Sequence, residues 1–188
     1  FLNQKYNLDL VTSNDVDKYD FSKYIAVLTS LNASQLKKLA KQLPNTPVFN
    51  LADENNELRL KCFSNILHIT PSSKMKSDAL EQLQIKKPNS NANPKSWHYS
   101  FVKFAARDLN KRFKKNHKVN MDDDSWAGWA AVKMTSDTVA RTQITNSKEM
   151  LGYLKNKLSF DGQKGSDMNF RVTGQLRQLI LLVENDKI

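Results

Sequence analysis

A single cysteine, Cys62, excludes an internal disulfide and any zinc site built on paired thiolates. Placed between Leu60 and Phe63, it reads as a small core residue. No apolar run reaches the roughly eighteen residues a membrane-spanning helix needs. Nor does Phe1 open a basic, then apolar, then small-residue leader, although a mature secreted protein would look the same. There is no GxSxG elbow, no Walker loop and no GxGxxG, so nucleophilic and nucleotide-dependent catalysis lack their parts. The three histidines, His68, His98 and His117, show neither HxH nor HxxxH spacing. His68, inside an apolar run, reads as a hydrogen-bonded core residue rather than a ligand. The chain is expected not to be an enzyme and to require no cofactor.

What is present describes an ordinary globular protein. At 188 residues, 39% hydrophobic and 26% charged, the chain can build one good core. Twenty-nine Lys and Arg against nineteen Asp and Glu give a net charge of +10, which raises the question of nucleic acid. No recognition-helix arginine cluster, zinc-finger spacing or RNP-like aromatic strand accompanies that charge, so a lysine-rich solvated surface is the preferred reading. An acidic ligand or acidic protein partner fits the same charge.

Residues 1–11 alternate only weakly and read as a poor strand or an extended lead-in, and the polar residues 12–22 as a surface connection. Residues 24–28, YIAVL, form a short continuous apolar run of the kind buried on both faces of a sheet. A helix is expected over residues 33–43, ended by Pro44, then strands over residues 46–50 and 65–69 and a helix through Met75, Ala79 and Leu80. Alternating strands and helices predict an α/β fold, a parallel sheet flanked by helices. Ligands in such sheets bind outside the carboxyl ends of the strands. Thr29 and Ser30, Asn50, and Thr70 with Ser72 fall at those ends and are the first candidate ligand-binding residues. The competing reading is that each merely caps a helix or turn.

Residues 82–94 form a polar, Asn- and Pro-containing linker, and residues 93–132 then hold all three tryptophans. Trp97, Phe101, Phe104, Ala105, Leu109 and Phe113 recur at helical spacing, with Lys103, Arg107, Lys111, Lys114 and Lys115 on the other side. A second helix is expected from Asp122-Asp123-Asp124, carboxylates suited to capping its positive end, with Trp126, Ala127, Trp129, Ala130, Ala131 and Met134 as its stripe. Contiguous carboxylates diverge, so capping is preferred to metal binding. Residues 148–158 read as a short helix, residues 168–172 as a strand, and residues 178–183 as a buried strand or core segment.

The phrases SWHYSF, DSWAGWAAV and FDGQKGSDMNFRVTGQLRQLILL, in this order, resemble the type I periplasmic solute-binding proteins of ABC transporters. The resemblance is to the branch associated with PQQ-dependent alcohol oxidation. It implies one lobe of a Rossmann-like binding-protein fold over residues 1–188, with the linker at about 82–94 standing where the family has a second lobe. It also implies that a first strand and turn precede the residues that FLNQKYNL resembles. By the same resemblance the chain is periplasmic and non-catalytic. It would bind a small polar solute, PQQ among the ligands implied, and serve an ABC transporter or a PQQ-dependent dehydrogenase. Trp126 would then point at the ligand, and the ligand's carboxylates would call on Arg171 and Arg177, with Arg59 and Lys74 as further cations. The alternative is a structural or accessory subunit docking onto a larger assembly through an exposed patch at Leu179 to Leu182.

Overall fold

The computed structural model describes residues 5–61, 63–165 and 167–188. Cys62 and the first four residues of the expected lead-in lie outside the described residues.

Three short strands, β1 (Val27–Thr29), β2 (Val48–Asn50) and β3 (Ile66–His68), form a parallel sheet in the order β1-β2-β3. The register pairs Val27 with Val48 and Val48 with Ile66. Gln175 extends the sheet beyond β3 through a parallel bridge to His68. Between the strands run α1 (Ala33–Gln42) and the single turn α2 (Glu57–Leu60), and after them α3 (Ser73–Lys86). Asn32 caps α1 by accepting from the Ser34 and Gln35 amides, and Ser72 caps α3 by accepting from Met75. The helix of α1 stops one residue before Leu43-Pro44, as a proline that clashes with the preceding turn requires.

Strand periodicity divides the interior in two. Val27, Val48 and Ile66 pack with Leu36, Leu39 and Leu58 on one side of the sheet. Their neighbours Phe49 and Leu67, with the half-buried Leu28, face the other side, where Trp97, Trp126, Ala130 and Met134 complete a larger core. Because both faces are covered, the strands carry apolar residues in succession rather than in alternation with polar ones. The predicted α/β fold with a parallel sheet flanked by helices is therefore the observed one.

The second half differs from its sequence pattern in three places. Residues 82–86 continue α3, so the irregular part of the expected linker is short and ends in β4 (Asn93–Lys95). This strand pairs antiparallel with β5 (Leu181–Val183), which buries Leu181 and Val183; Leu179 alone of that run is exposed. The first aromatic helix, α4 (Ala106–His117), does not begin at Trp97. Phe104 and Ala105 hold φ of 52° and 63°, a left-handed pair that no helix can pass through, and residues 96–105 are irregular before it. The 3.6-residue spacing of Trp97 and Phe101 arises instead from an irregular turn that buries both rings.

The helix α5 (Asp123–Thr142) starts where the acidic triplet places it, with Asp122 accepting from Ser125 N at 2.9 Å. Asp123 faces backward: its Oδ1 accepts from Trp97 N at 2.8 Å and its Oδ2 lies 3.3 Å from Lys95 Nζ. Capping occupies Asp122, and anchoring of residues 95–97 occupies Asp123. α6 (Ser147–Asn156) follows, and residues 160–176 contribute isolated bridges, Phe160 to Met168 and Phe170 to Leu176, rather than a full strand.

Candidate functional site

The free edge of the sheet is β1, and the chain before it lies across that edge. Tyr6 Oη donates to the Ser136 carbonyl of α5 at 3.2 Å, tying the start of the described chain to the helix. Further on, Asp9 accepts from the phenols of Tyr19 and Tyr24, and the rings of Tyr19, Phe21 and Tyr24 cluster with centroids 5.0 to 6.5 Å apart. Those hydrogen bonds, Tyr24's first, hold the Asp9 carboxyl below the usual carboxylate range, while Asp9 pushes the Tyr24 phenol up. Asp9 is therefore an anion at neutral pH and Tyr24 a neutral donor.

Segment, strand and helix enclose a groove of about 600 Å³. It is lined by residues 25–31, which include β1, by Val16, Phe21 and Tyr24 with Leu8 and Leu10 at the rim, and by Val132, Thr135 and Ser136 of α5. The volume lies within the roughly 300–1,000 Å³ usual for small-molecule sites, and the lining is mainly aliphatic and aromatic with a few hydroxyls. Among the described residues, Asp9 is its single charged lining residue, and no Lys or Arg contributes. A second, polar cavity of about 200 Å³ lies between α5, α6 and residues 158–163, lined among others by Lys133, Asp137, Arg141 and Tyr153. It falls below that size range, and Lys133 is already paired with Asp137 at 2.6 Å.

Of the residues predicted from strand ends, the structure brings Thr29 and Ser30 into the groove. Thr29 Oγ1 also accepts from Leu31 N at 3.0 Å, so the turn reading holds beside the site reading. Asn50, Thr70 and Ser72 are buried and do not line it. Asn50 donates to the Asp53 carbonyl at 2.7 Å and to His68 Nδ1 at 2.9 Å, while its Oδ1 accepts from Asp53 N. The Thr70 carbonyl accepts from Arg59 Nη2 at 2.9 Å and Gln175 Nε2 at 3.2 Å. Ser72 Oγ caps α3.

These residues build a buried polar latch. Arg59 Nε donates to Gln175 Oε1 at 3.1 Å, and its Nη1 serves the carbonyls of Asp53 and Asn55. Burial lowers the Arg59 guanidinium to about 10, opposed by Asp53 and Glu54. The His68 imidazole is driven down to about 3, by burial first and by Arg59 second. It is neutral, with the proton on Nε2 because Nδ1 accepts from Asn50. The latch joins residues 174–176 to β3. It leaves Arg59 pointing at carbonyls, away from the solute role expected for it.

The remaining candidates separate similarly. Trp126 is fully buried and lines neither cavity: its ring stacks on Trp97 at 5.7 Å and 7°, and Nε1 donates to the Gly162 carbonyl at 3.1 Å. The apolar stripe that makes α5 a core helix is what carries this ring inward. Above it lies Lys164, 1% exposed, with Nζ 4.4 Å from the ring centroid, donating to the Ser96 carbonyl and to Gln178 Oε1. Burial lowers its ammonium to about 7, with distant help from Asp123 opposing. Arg171 is exposed; Arg177, also exposed, donates to Asn169 Oδ1 and the Phe170 carbonyl. Lys74 pairs with Asp78 at 2.8 Å.

Sequence reading missed Asp9, the Tyr19-Phe21-Tyr24 cluster and the Lys164 cage. Three aromatics within six residues were a visible signal for the first. A lysine between glycines gives none for the last.

The groove thus runs along the edge strand of a helix-flanked parallel sheet. Among solved structures, the chain is similar to an ABC transporter substrate-binding protein from Desulfitobacterium hafniense, with a TM-score of 0.65 over 89% of this chain and 80% of that one. The aligned residues are 11% identical, so the likeness is one of fold. No protein-family model and no curated protein matches the sequence. Among the described residues, no helix is long and apolar enough to cross a membrane.

Proposed function

We propose that the protein is a non-catalytic, extracytoplasmic solute-binding protein that holds a small amphiphilic solute in the β1 groove and hands it to a membrane transporter. The observation that carries this reading is the groove itself, about 600 Å³ of mainly apolar lining with Thr29, Ser30, Thr135, Ser136, Tyr24 and Asp9 among its polar groups. Its chemistry narrows the solute. Apolar walls and the tyrosine cluster suit a planar or aliphatic body, the hydroxyls suit an alcohol or carbonyl end, and Asp9 suits a neutral or cationic head.

PQQ, and through it a partnership with a PQQ-dependent dehydrogenase, fits this groove less well. Its carboxylates would meet Asp9 and no cation, since neither Arg171 nor Arg177 lines the cavity. The link to alcohol oxidation is better carried by an alcohol or aldehyde as the solute than by PQQ itself.

The test is a thermal-shift panel at neutral pH with PQQ, neutral aromatic alcohols, aromatic amines and short aliphatic alcohols. A concentration-dependent rise in Tm with the neutral or cationic aromatics, and none with PQQ, is the expected pattern. A rise confined to PQQ would move the site to the exposed arginines; no rise with any class would remove the solute-binding reading.

The accessory-subunit reading has one observation in its favour, the exposure of Leu8 and Leu10, at 73% and 99%, on the groove rim. It predicts a tight protein complex through that rim and an unresponsive panel. The patch expected at Leu179 to Leu182 supplies less, because β4 covers Leu181.

A further inference from the structure

The ten net charges are not spread evenly. Residues 103–118 contain seven Lys or Arg and a single acid, Asp108, a net +6 of the protein's +10. All seven cations are exposed, and among the described residues none of them forms an ion pair. What distinguishes this stretch is density, seven cations in sixteen residues against one acid, since elsewhere paired lysines such as Lys38, Lys74, Lys76, Lys95 and Lys133 stand among other described cations without a carboxylate partner. The helix α4 buries Ala106 and Leu109 and half-buries Phe113. At 100° per residue, Arg107, Lys111, Lys114 and Lys115 then share the opposite arc, and Lys118 extends it past the helix end.

Apolar side chains stand at both ends of this basic ridge. Val102 and Phe104 precede it, 50% and 53% exposed, and Val119 follows it at 58%. Phe104 is held out of the core in a left-handed backbone conformation. A solvated charged face needs no such residues, and a nucleic-acid duplex offers no apolar phase to receive two valines. An anionic bilayer satisfies both halves of the pattern: its headgroups neutralise the ridge and its acyl boundary takes the flanking apolar groups.

We propose that α4 and its flanks form a docking surface for an anionic phospholipid membrane, on which the protein lies by charge and by shallow insertion of Val102 and Phe104. The surface is separate from the β1 groove and stands or falls independently of the solute reading.

The experiment is co-sedimentation of the full chain with large vesicles of phosphatidylcholine alone, or with one part in three phosphatidylglycerol. Three variants accompany the wild type: R107Q/K111Q/K114Q/K115Q on the ridge, K86Q/K87Q/K148Q/K157Q as a charge-matched control elsewhere, and V102S/F104S. Each surface cation strengthens partition roughly fivefold. The ridge variant should therefore lose binding to the anionic vesicles by several hundredfold, with the control changing far less. V102S/F104S should lose about tenfold while keeping the salt dependence. Circular dichroism checks the fold of each variant, and if the ridge variant fails to fold, V102S/F104S decides. Equal loss in the ridge and control variants would reduce the effect to net charge and overturn the proposal. So would an absence of binding to anionic vesicles, or duplex DNA bound as tightly as those vesicles and unaffected by V102S/F104S.

Discussion

Replacing Lys164 by methionine should change how stability depends on pH more than it changes stability at any one pH. The ammonium is 1% exposed and its pKa falls from 10.5 to about 7 on folding, through burial. A depressed lysine pKa means that the unfolded chain binds more protons than the folded one between those values, so stability rises with pH across that window. The full difference is about 5 kcal/mol, an upper bound for a group that can relax toward water. It is present as destabilisation below pH 7 and relieved toward pH 10.5. From pH 7 to pH 9 the wild type should gain about 2 kcal/mol relative to Lys164→Met. The offset between the two proteins at pH 7 is a poor guide. Methionine removes the charge, but it also strips the Ser96 carbonyl and Gln178 Oε1 of a donor, at about 1–3 kcal/mol. Urea denaturation at half-unit pH intervals measures the slope directly. Parallel curves for wild type and variant across pH 7 to 9 would refute the claim that Lys164 is buried as a strained ammonium.

Other perturbations address the fold around the site. Gly174→Ala places a methyl against the Ile66 carbonyl at φ +79°, and should destabilise by about 2–4 kcal/mol in the same urea assay. His68, whose pKa falls to about 3, makes the native state lose stability as pH drops from 6.5 toward 3. His68→Phe should flatten that acid limb, whatever its effect at pH 7. Ala105→Gly relieves a left-handed backbone at φ 63° and should raise stability by about 0.5–1 kcal/mol, read as a small rise in Tm.

The sheet was legible because its strands are buried on both faces. Continuous runs such as VFN and ILH have few other uses, and Asn32, Ser72 and Asp122 announce their helices by capping chemistry. The Trp97 segment misled because a burial pattern spaced by three and four is also produced by an irregular turn, and a left-handed Phe104-Ala105 pair leaves no mark in composition. Of the residues picked out by the strand-end rule, Thr29 and Ser30 line the groove. The same rule also led to Asn50, Thr70 and Ser72, which the fold spends on its own carbonyls and amides. Whether a polar residue faces a cavity or a backbone group depends on what packs over it. At Thr70 that is Arg59 and Gln175, 116 residues apart in the chain.

The most direct measurement of the central claim is calorimetric titration of the solute that shifts Tm most, against wild type and Val132→Trp. Val132 lines the groove from α5 and is 41% exposed, so an indole there fills the cavity without entering the core. Binding at the β1 groove predicts a single-site isotherm for the wild type and an affinity lower by at least about tenfold for the variant. Equal affinity for both proteins would place the solute elsewhere and contradict the assignment.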